Sequence, residues 1–321
     1  MEASQNNHYK VIILVSLAVC VIVLALSLQK KETPSPQQAR PAGTGSVAKK
    51  TNTIDGSILL QDEKTKAPAQ VVPPRDPNAI TAESYMVGDL QTGKIYLDHD
   101  SEHVFPIASL SKLFTALVAT HIMDETKEIT MTQPVLDAYG DAGHLVLDEK
   151  FTVRELLYPL LLESSNDAAE AYAQSFGYKA FIDSMNSLAL EIGMQKTSFK
   201  DASGLNPGNT STAKDLFLLA QYFYKYENDL LEITRQKTFE LATTTAHGSH
   251  RFLSINPFVF YKPLIGGKTG RTDEAHESMV SLFNVEKNSK IYPVAVIILR
   301  SDFGEREIDT EKILDKFTKS I

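Results

Sequence analysis

The sequence predicts a protein of the α/β class, in its α+β form, with an antiparallel sheet covered by helices on both faces. Three observations support this prediction. Two strand-like segments open the folded region, a block of helical segments follows, and three strand-like segments with a final helix close it. Consecutive strands joined by short turns pair antiparallel, and a sheet buried on both faces needs helices on both. An apolar N-terminal run adds a predicted transmembrane helix.

The N-terminal segment has the composition of a membrane span. Residues 11–28 carry no charge and are almost wholly apolar, which suits a helix that crosses a bilayer. We expect an N-terminal tail at 1–10 and an uncleaved transmembrane anchor at 11–29; a cleaved signal peptide is the alternative. Two lysines follow the span and one precedes it. Positive-inside counting therefore favours, by a small margin, a cytoplasmic C-terminal side.

Composition limits the partners and cofactors of the chain. Residues 30–79 are polar and rich in proline, so we expect a disordered Pro-rich linker there and a folded domain at 80–321. The net charge of -8 argues against a nucleic-acid partner, because nucleic acid favours basic surfaces. The single cysteine, Cys20, excludes an internal disulfide framework and a cysteine-based metal site. The sequence predicts no cofactor and no metal.

The elements of the folded domain follow in order along the chain. Two strands at 85–90 and 94–97 flank a turn, which is typical of a β-hairpin. Apolar residues fall almost all round the segment 109–123, as in a buried helix. Thr152 and Glu155 form a possible capping box at the start of the next helix. The remaining helices are predicted at 152–162, 166–177, 179–192, 212–226 and 309–318, and the remaining strands at 264–270, 278–285 and 290–299.

Three short motifs in a fixed order carry the functional prediction. They are Ser109-Leu110-Ser111-Lys112, Ser164-Ser165-Asn166 and Lys268-Thr269-Gly270. Each alone is common, and a lone serine three residues before a lysine is most often an exposed helix start. Their combination, with this order and wide spacing, predicts one active site assembled from three parts of a fold.

The first motif supplies a nucleophile and a base. Serine is a weak nucleophile at neutral pH and needs a base close by. Three residues along a helix places Lys112 on the same face as Ser109. The apolar surroundings of Lys112 would lower its pKa by desolvation and leave part of it neutral as a general base. The start of the helix also favours developing negative charge near Ser109.

The second and third motifs supply the groups that would handle a substrate. Ser164 lies in a junction between helices, where its hydroxyl could relay a proton to a leaving amine. Asn166 offers a donor and an acceptor for a peptide bond; the alternative for both residues is a helix cap. Lys268 and Thr269 suit a substrate carboxylate, and Gly270 would let substrate backbone approach closely. Strand alternation places Lys268 and Gly270 on one face and Thr269 on the other.

Two other polar clusters have simpler interpretations. The two histidines of His247-Gly248-Ser249-His250 could form a metal-binding pair. No carboxylate-histidine pattern lies nearby in the sequence, so we interpret this segment as a solvated loop. Four acidic residues, Glu305, Glu307, Asp309 and Glu311, are interpreted as a solvated helix start, where negative charge is favourable.

The three motifs and their flanking residues resemble a known family. The chain is similar, from about residue 84 to 319, to the penicillin-recognising serine D-alanyl-D-alanine carboxypeptidases, the low-molecular-mass penicillin-binding proteins. The flanking matches are Pro106-Ile107-Ala108, Leu160-Leu161-Leu162, Asn166-Asp167-Ala168-Ala169, Ser203-Gly204-Leu205 and Ser211-Thr212-Ala213-Lys214-Asp215. The resemblance implies a β-lactamase/transpeptidase-like three-layer fold and a D,D-peptidase catalytic domain at 80–321.

The resemblance also implies a reaction and its residues. A peptidoglycan stem peptide would acylate Ser109 through its penultimate D-alanine, terminal D-alanine would leave, and water would hydrolyse the acyl-enzyme. The backbone N–H groups of Ser109 and Arg271 would form the oxyanion hole. β-Lactams would trap Ser109 as substrate mimics. The implied substrate-binding residues are Thr269, Gly270, Arg271 and Thr272.

Two residues near the third motif differ from the pattern of the family. Arg271 follows the third motif, where it could add a second cation for the carboxylate. His276 stands where the family often has glycine. A wall substrate implies a single-pass protein of the cell membrane with an extracytoplasmic catalytic domain, and we let this argument override the lysine count.

Other functions on the same fold stay open. A D,D-endopeptidase that cuts cross-links would use the same residues. A class A-like β-lactamase needs a Glu-x-x-Leu-Asn segment, which Glu191-Ile192-Gly193-Met194-Gln195 does not match. A non-catalytic wall-binding descendant would not need all three motifs intact.

Overall fold

The structure, a computed structural model, describes residues 76, 79–140 and 142–321 of the chain. All of these residues belong to one compact unit, Val71–Ile321. The predicted tail and anchor, and all but two residues of the predicted linker, lie outside the described residues. Among the residues that are described, no helix has both the length and the apolar character to cross a membrane.

The described residues form eight α-helices and eleven β-strands. The strands are β1 (Ser84–Asp89), β2 (Ile95–His99), β3 (Phe105–Pro106), β4 (Glu128–Thr130), β5 (Lys150–Thr152), β6 (Thr210–Ser211), β7 (Thr238–Leu241), β8 (His250–Leu253), β9 (Leu264–Thr272), β10 (His276–Lys287) and β11 (Lys290–Ser301). The helices are α1 (Ser111–Ile122), α2 (Gln133–Leu136), α3 (Val153–Leu162), α4 (Asn166–Phe176), α5 (Tyr178–Ile192), α6 (Ala213–Tyr226), α7 (Asn228–Thr234) and α8 (Arg306–Ser320).

The central sheet is antiparallel throughout. Its five strands lie in the order β2-β1-β11-β10-β9. Ser84 of β1 lies opposite Leu299 of β11, so strands from the two ends of the domain pair at the centre of the sheet. β9 forms an outer strand, which leaves one of its edges free to line a cleft.

Helices cover both faces of this sheet. On β11, Val294, Val296 and Ile298 pack in one apolar cluster with Phe317 of α8. The alternate residues Ala295, Ile297 and Leu299 pack in a larger cluster with the helices between β2 and β9. Because successive strand residues point to opposite faces, each face of β11 is buried by a different helical layer. The predicted three-layer arrangement of sheet and helices is confirmed.

Elements with a strong periodic pattern are confirmed, and very short ones were not predicted. The predicted capping box of α3 is present: the Thr152 hydroxyl accepts from Glu155 N at 3.1 Å, and Thr152 N donates to the Glu155 carboxylate at 2.7 Å. The unpredicted elements are the short helices α2 and α7 and the strand pairs β3–β6, β4–β5 and β7–β8. These strands have two to four residues, too few for an alternating pattern to be recognised.

Asp309 corrects the interpretation of the last helix start as solvated. Its carboxylate is fully buried. It accepts hydrogen bonds from Thr81 N at 2.9 Å, Thr81 Oγ1 at 2.7 Å, Ala82 N at 2.9 Å and Ser301 Oγ at 2.7 Å. The carboxylate therefore joins α8 to the residues that precede β1 and to the end of β11. Glu307 and Glu311 are exposed as predicted.

Replacing this buried carboxylate should destabilise the domain. Asp309→Ala leaves the backbone N–H groups of Thr81 and Ala82 without an acceptor in a buried site. We expect a loss of about 3 kcal/mol in the free energy of unfolding, measured by urea denaturation. The control is Glu311→Ala on the same helix, which should change stability by less than about 0.5 kcal/mol. Equal effects for the two variants would contradict the role given to Asp309.

Candidate active site

Ser109 lies just before the buried helix and not within it. Residues Ala108–Leu110 form a 3-10 turn, and α1 begins at Ser111. Ala108 has a left-handed backbone, with φ of 47°, which bends the chain sharply at the nucleophile. Ser111 Oγ donates to Ala108 O at 2.8 Å and holds this bend. The turn leaves Ser109 half-buried, with its hydroxyl accessible to Lys112.

Lys112 is the most connected side chain of the candidate site. It is fully buried, and its Nζ donates to Ser109 Oγ at 2.9 Å, to Asn166 Oδ1 at 2.7 Å and to Ser203 O at 2.6 Å. Three acceptors match the three donors of a lysine ammonium. The predicted pairing of Ser109 with Lys112 is therefore present, together with contacts to two other segments of the chain.

Burial changes the acid–base chemistry of this lysine. Desolvation lowers the pKa of Lys112 to about 7, and the negative charge of Asp201 opposes this shift. Water no longer stabilises the charged form, so loss of the proton becomes easier than for an exposed lysine. At neutral pH a substantial fraction of Lys112 is thus able to accept the hydroxyl proton of Ser109.

This pKa predicts how the reaction should depend on pH. Only the neutral amine can accept a proton, so the rate of acylation of Ser109 should rise with pH and level off above about 7. Below that value we expect a fall of about tenfold per pH unit. The measurement is kcat/KM for a β-lactam or a D-alanyl-D-alanine peptide against pH. A rate that stays flat well below neutrality would contradict Lys112 as the base.

Ser164 and Asn166 occupy the junction between α3 and α4. Ser164 has a left-handed backbone, with φ of 63°. The helix cap is Ser165, whose side chain accepts from Ala168 N at 3.2 Å, so the alternative that Ser164 or Asn166 is the cap is wrong. Asn166 receives Lys112 on its Oδ1 and donates its Nδ2 to Tyr139 O at 2.5 Å. A substrate carbonyl would therefore use the second hydrogen of this amide.

Lys268 forms a second hydrogen-bonded pair with Ser164. Its Nζ is buried and donates to Ser164 Oγ at 2.9 Å and to Thr269 O at 3.0 Å. Burial lowers the pKa of Lys268 well below its usual value, and the positive charges of Lys112 and Arg306 lower it further. The positive charges of the two lysines therefore lie close enough to influence each other. The junction between α3 and α4 contacts both, because Asn166 binds Lys112 and Ser164 binds Lys268.

Glycines let the third motif pack closely against the first. A Cβ added to Gly270 would lie 2.7 Å from Ile107 O, and one added to Gly266 would lie 2.5 Å from Thr234 Oγ1. Residues 266, 268 and 270 thus lie on the face of β9 that packs against the 3-10 turn and the helices between β2 and β9, as strand alternation predicts. The close approach at Gly270 is made by the protein's own 3-10 turn and the residue before it. The expectation that this glycine also makes room for substrate backbone stays a prediction.

The residues after the third motif contact side chains and backbone groups outside the three motifs. The exposed Arg271 guanidinium lies 5.1 Å from the centre of the Phe303 ring and 3.7 Å from Glu277 Oε1. Thr272 Oγ1 accepts from Ala275 N at 3.1 Å and closes the turn between β9 and β10. His276 has φ of 50°, a conformation that favours glycine. Among the residues that the structure describes, the side chains of Arg271, Thr272 and His276 form no hydrogen bond to the lysines or serines of the site.

The two histidines of the 247–250 segment correct the interpretation of a solvated loop. His247 is buried, and its ring stacks on Phe151 with centroids 4.8 Å apart. His250 Nε2 lies 2.9 Å from Glu149 Oε2. Within the described part of the chain, no group of three or more histidine, cysteine or acidic residues could hold a metal ion. The histidines instead join the β7–β8 hairpin to the segment that leads into α3.

Several groups of the site were not predicted as functional. The Ser203 carbonyl binds Lys112, the Tyr139 carbonyl binds Asn166, and Arg306 lies close enough to Lys268 to lower its pKa. Backbone carbonyls leave no signature in a residue pattern. The segment Ser203-Gly204-Leu205 resembles the family, and this was the available signal for the first of them.

A nucleophilic serine on a buried lysine, beside an outer strand of an antiparallel sheet, defines a serine hydrolase of the penicillin-recognising class. Comparison with known proteins agrees. The family model described as D-alanyl-D-alanine carboxypeptidase matches residues 69–298. The chain belongs to the D-alanyl-D-alanine carboxypeptidase family.

Relatives in this family carry more than one activity in their names. A D-alanyl-D-alanine endopeptidase of Escherichia coli is 36% identical over 237 residues, which cover 70% of this chain and 73% of the relative. A D-alanyl-D-alanine carboxypeptidase of Bacillus subtilis is 29% identical over 251 residues, covering 73% of this chain and 61% of the relative. The chain thus spans less than two thirds of the length of that carboxypeptidase.

Solved structures share the fold over almost their whole length. The crystal structure of a Streptomyces DD-transpeptidase matches with a TM-score of 0.68 and 27% identity, covering 76% of this chain and 98% of that protein. A D-alanyl-D-alanine carboxypeptidase from Mycobacterium tuberculosis matches with a TM-score of 0.68 and 25% identity, covering 79% and 96%. The described domain is therefore similar in extent to these solved proteins.

Proposed function

We propose that the chain is a membrane-anchored serine D-alanyl-D-alanine carboxypeptidase that removes terminal D-alanine from peptidoglycan stem peptides. The observation that carries this proposal is the 2.9 Å contact between Lys112 Nζ and Ser109 Oγ, made by a fully buried lysine. Such a lysine can act as a base near neutral pH, and a serine in contact with it can act as a nucleophile. The family membership supplies the substrate class.

Acylation begins with proton transfer from Ser109 to neutral Lys112. Ser109 Oγ then attacks the carbonyl of the penultimate D-alanine and forms a tetrahedral intermediate. The backbone N–H groups of Ser109 and Arg271 stabilise its oxyanion; each such donor is typically worth about 3 kcal/mol. Asn166, held by Lys112 and Tyr139, positions the amide of the stem peptide.

Departure of D-alanine needs a proton on its nitrogen. Ser164 Oγ donates its proton to that nitrogen and receives another from protonated Lys268, which contacts it at 2.9 Å. The C–N bond breaks, D-alanine leaves, and the shortened peptide remains as an ester on Ser109. Water then attacks this ester, and one of its protons passes through Ser164 to neutral Lys268. The ester C–O bond breaks, the water oxygen stays in the new peptide carboxyl group, and protonated Lys112 returns a proton to Ser109 Oγ. Both lysines thereby regain their starting protonation states.

The positive charge near Lys268 suits the terminal carboxylate of the substrate. In the empty site, burial and two neighbouring cations disfavour the charged form of Lys268. A bound carboxylate reverses this balance, because an opposite charge nearby favours the ammonium form. Substrate binding would therefore also prepare Lys268 to supply the proton that Ser164 passes on. Thr269 and Arg306 also lie near the Lys268 amine.

A D,D-endopeptidase is the second candidate. Its support is the 36% identity to a relative with that name, which is higher than the 29% identity to the Bacillus carboxypeptidase. Both activities break a bond on the carboxyl side of D-alanine and use the same nucleophile. They differ in the leaving group, which is free D-alanine for one and a second stem peptide for the other.

Product analysis separates these functions. The purified full chain in detergent is incubated with a disaccharide pentapeptide and, separately, with cross-linked muropeptide dimers. Release of D-alanine supports the carboxypeptidase, whereas conversion of dimers to monomers without D-alanine release supports the endopeptidase. Rapid turnover of a β-lactam would indicate a β-lactamase. Absence of all three would contradict a catalytic role, with Ser109→Ala as the blank in each assay.

Covalent binding of β-lactams follows from the same proposal. The strained amide of a β-lactam would acylate Ser109 as the stem peptide does. Its amine stays attached to the acyl group, so it cannot diffuse away like D-alanine. We therefore expect a stable penicilloyl adduct on the wild type.

The location of the protein is part of this proposal. The apolar residues 11–29 would anchor the chain in the cell membrane with the catalytic domain on the extracytoplasmic side, where peptidoglycan lies. The test is protease accessibility in cells with a permeabilised outer layer and an intact cell membrane. Digestion of the domain is the expected result, and protection of the domain until the membrane is lysed would contradict it.

A further inference from the structure

The segment that covers Lys112, residues 200–209, is organised around Asp201. The Asp201 carboxylate accepts from Gly204 N at 2.5 Å and from Asn206 N at 2.5 Å. It also accepts from Asn209 Nδ2 at 3.1 Å. One carboxylate thus satisfies three donors along eight residues and sets the shape of this segment, which we call the 200–209 loop.

The same loop is fixed to the nucleophile turn from its other end. Asn209 is fully buried. Its Oδ1 accepts from Lys200 N at 2.7 Å, and its Nδ2 donates to Ser111 Oγ at 2.9 Å. Ser111 in turn donates to Ala108 O. The loop and the turn that carries Ser109 are therefore one hydrogen-bonded unit.

This unit delivers a carbonyl to the amine of the catalytic pair. Ser203 O lies 2.6 Å from Lys112 Nζ. Gly204 follows with φ of +87°, and a Cβ there would lie 1.9 Å from Ala108 O. The backbone of the loop thus packs directly on the nucleophile turn. A change in the shape of the loop would move the Ser203 acceptor away from Nζ.

Few charged groups on the elements packed around Lys112 influence its pKa. Asp201 lies on the loop, Lys268 lies on β9, and Arg306 lies beyond Lys268 on α8. Tyr178 of α5 is affected by Asp201 but has its pKa raised to about 12 by burial, so it stays neutral. The Asp201 charge raises the pKa of Lys112 against the lowering caused by burial.

We propose that Asp201 is a positioning residue for Lys112: its carboxylate shapes the loop that brings Ser203 O to the amine and places a negative charge beside it. Asp201 is not among the hydrogen-bond partners of Lys112 Nζ, which are Ser109 Oγ, Asn166 Oδ1 and Ser203 O. It acts on the reaction through Lys112. The inference deepens the proposed function, since it rests on Lys112 being the base that serves Ser109. It predicts that loss of the Asp201 charge makes Lys112 give up its proton more readily.

The direct test follows the titration of Lys112 itself. The full chain, labelled at the lysine ε-carbons, is titrated by NMR from about pH 5 to about pH 10, and the Lys112 signal is assigned by its loss in Lys112→Met. In Asp201→Asn and Asp201→Ser the midpoint should move to lower pH than in the wild type. Asp201→Glu keeps the charge and should keep a midpoint near that of the wild type. Midpoints of both neutral variants equal to the wild type would overturn the inference.

A matched control separates this effect from general damage. Asp215 is a buried carboxylate that, like Asp201, holds a turn, accepting from Lys196 N at 2.8 Å and from Thr197 Oγ1 at 2.8 Å, but it is not among the charges that act on Lys112. Asp215→Asn should leave the Lys112 midpoint unchanged. A shift as large as in Asp201→Asn would show that loss of any carboxylate that holds a turn has this effect, and would contradict a specific role for Asp201.

Acylation kinetics provide a second readout. The rate of penicillin acylation of Asp201→Asn should fall overall, because Ser203 O is misplaced, and its acid limb should move to lower pH. A fall in rate with an unmoved acid limb would indicate a structural role only and would contradict the proposal. Absence of acylation in the wild type would contradict the proposed function, while the NMR titration would still decide the role of Asp201.

Discussion

Ser109→Ala is expected to abolish release of D-alanine, with a fall of about 10⁶-fold in kcat. The variant keeps the Cβ and loses only the oxygen that Lys112 contacts at 2.9 Å. No acyl-enzyme can form without that oxygen, and removal of a nucleophile typically costs about this factor. The measurement is D-alanine release from a pentapeptide, with the fold checked by circular dichroism and thermal denaturation.

Ser111→Ala provides the matched control for this result. Ser111 is the other serine of the first motif, and it is buried with its hydroxyl on Ala108 O. We expect Ser111→Ala to lower the rate, through a less well-held turn, and to retain a measurable acyl-enzyme. Loss of acylation in Ser111→Ala with full activity in Ser109→Ala would exchange their roles and refute the assignment of the nucleophile.

Lys112→Met is expected to have the second-largest effect, a fall in the acylation rate of about 10³ to 10⁴-fold. Methionine is close to lysine in size but can neither accept the Ser109 proton nor bind Asn166 Oδ1 and Ser203 O. General base catalysis is typically worth up to about 10⁴-fold. The measurement is the rate of penicillin acylation, compared with that of Lys214→Met. Lys214 is an exposed lysine paired with Glu102 at 2.5 Å, and its loss should leave the rate unchanged.

Lys112→Met should change the stability of the domain much less than its activity. Removing the buried amine relieves its desolvation, while three acceptors lose a donor, and the two effects oppose each other. We expect the free energy of unfolding to change by less than about 2 kcal/mol. In the wild type, the unfolded chain keeps the Lys112 proton up to its ordinary pKa of 10.5, whereas the folded chain loses it near 7. The free energy of unfolding of the wild type should therefore rise with pH between these two values. Lys112→Met should lack this pH dependence.

The sequence was sufficient for the parts of the fold that depend on local patterns. The strands at 264–270, 278–285 and 290–299 and most long helices are confirmed because alternation and helical periodicity reflect burial directly. The contact of Lys112 with Ser109 was also predictable, because three residues along a helix or a 3-10 turn bring side chains together. Its contact with Asn166, fifty-four residues further on, was inferred from the combination of motifs and not from any local rule.

Features that depend on residues distant along the chain could not be predicted from the sequence. Asp309 was interpreted as solvated because the hydrogen-bond donors that justify its burial come from residues 81, 82 and 301. The same holds for His247, which is buried by Phe151. The carbonyls of Ser203 and Tyr139 belong to the backbone, so residue types could not identify them. Asp201 was not predicted, because its role depends on the shape of the 200–209 loop.

The central claim is that Ser109 becomes acylated with Lys112 as its base, and mass spectrometry of penicillin-treated protein tests it most directly. The full chain is incubated with penicillin, digested, and the adduct is located by fragmentation. We predict a single penicilloyl group on Ser109 in the wild type, with its rate of formation rising through about pH 7. An adduct located on Ser164 or Ser111, or a protein that stays unmodified at saturating penicillin, would contradict this account.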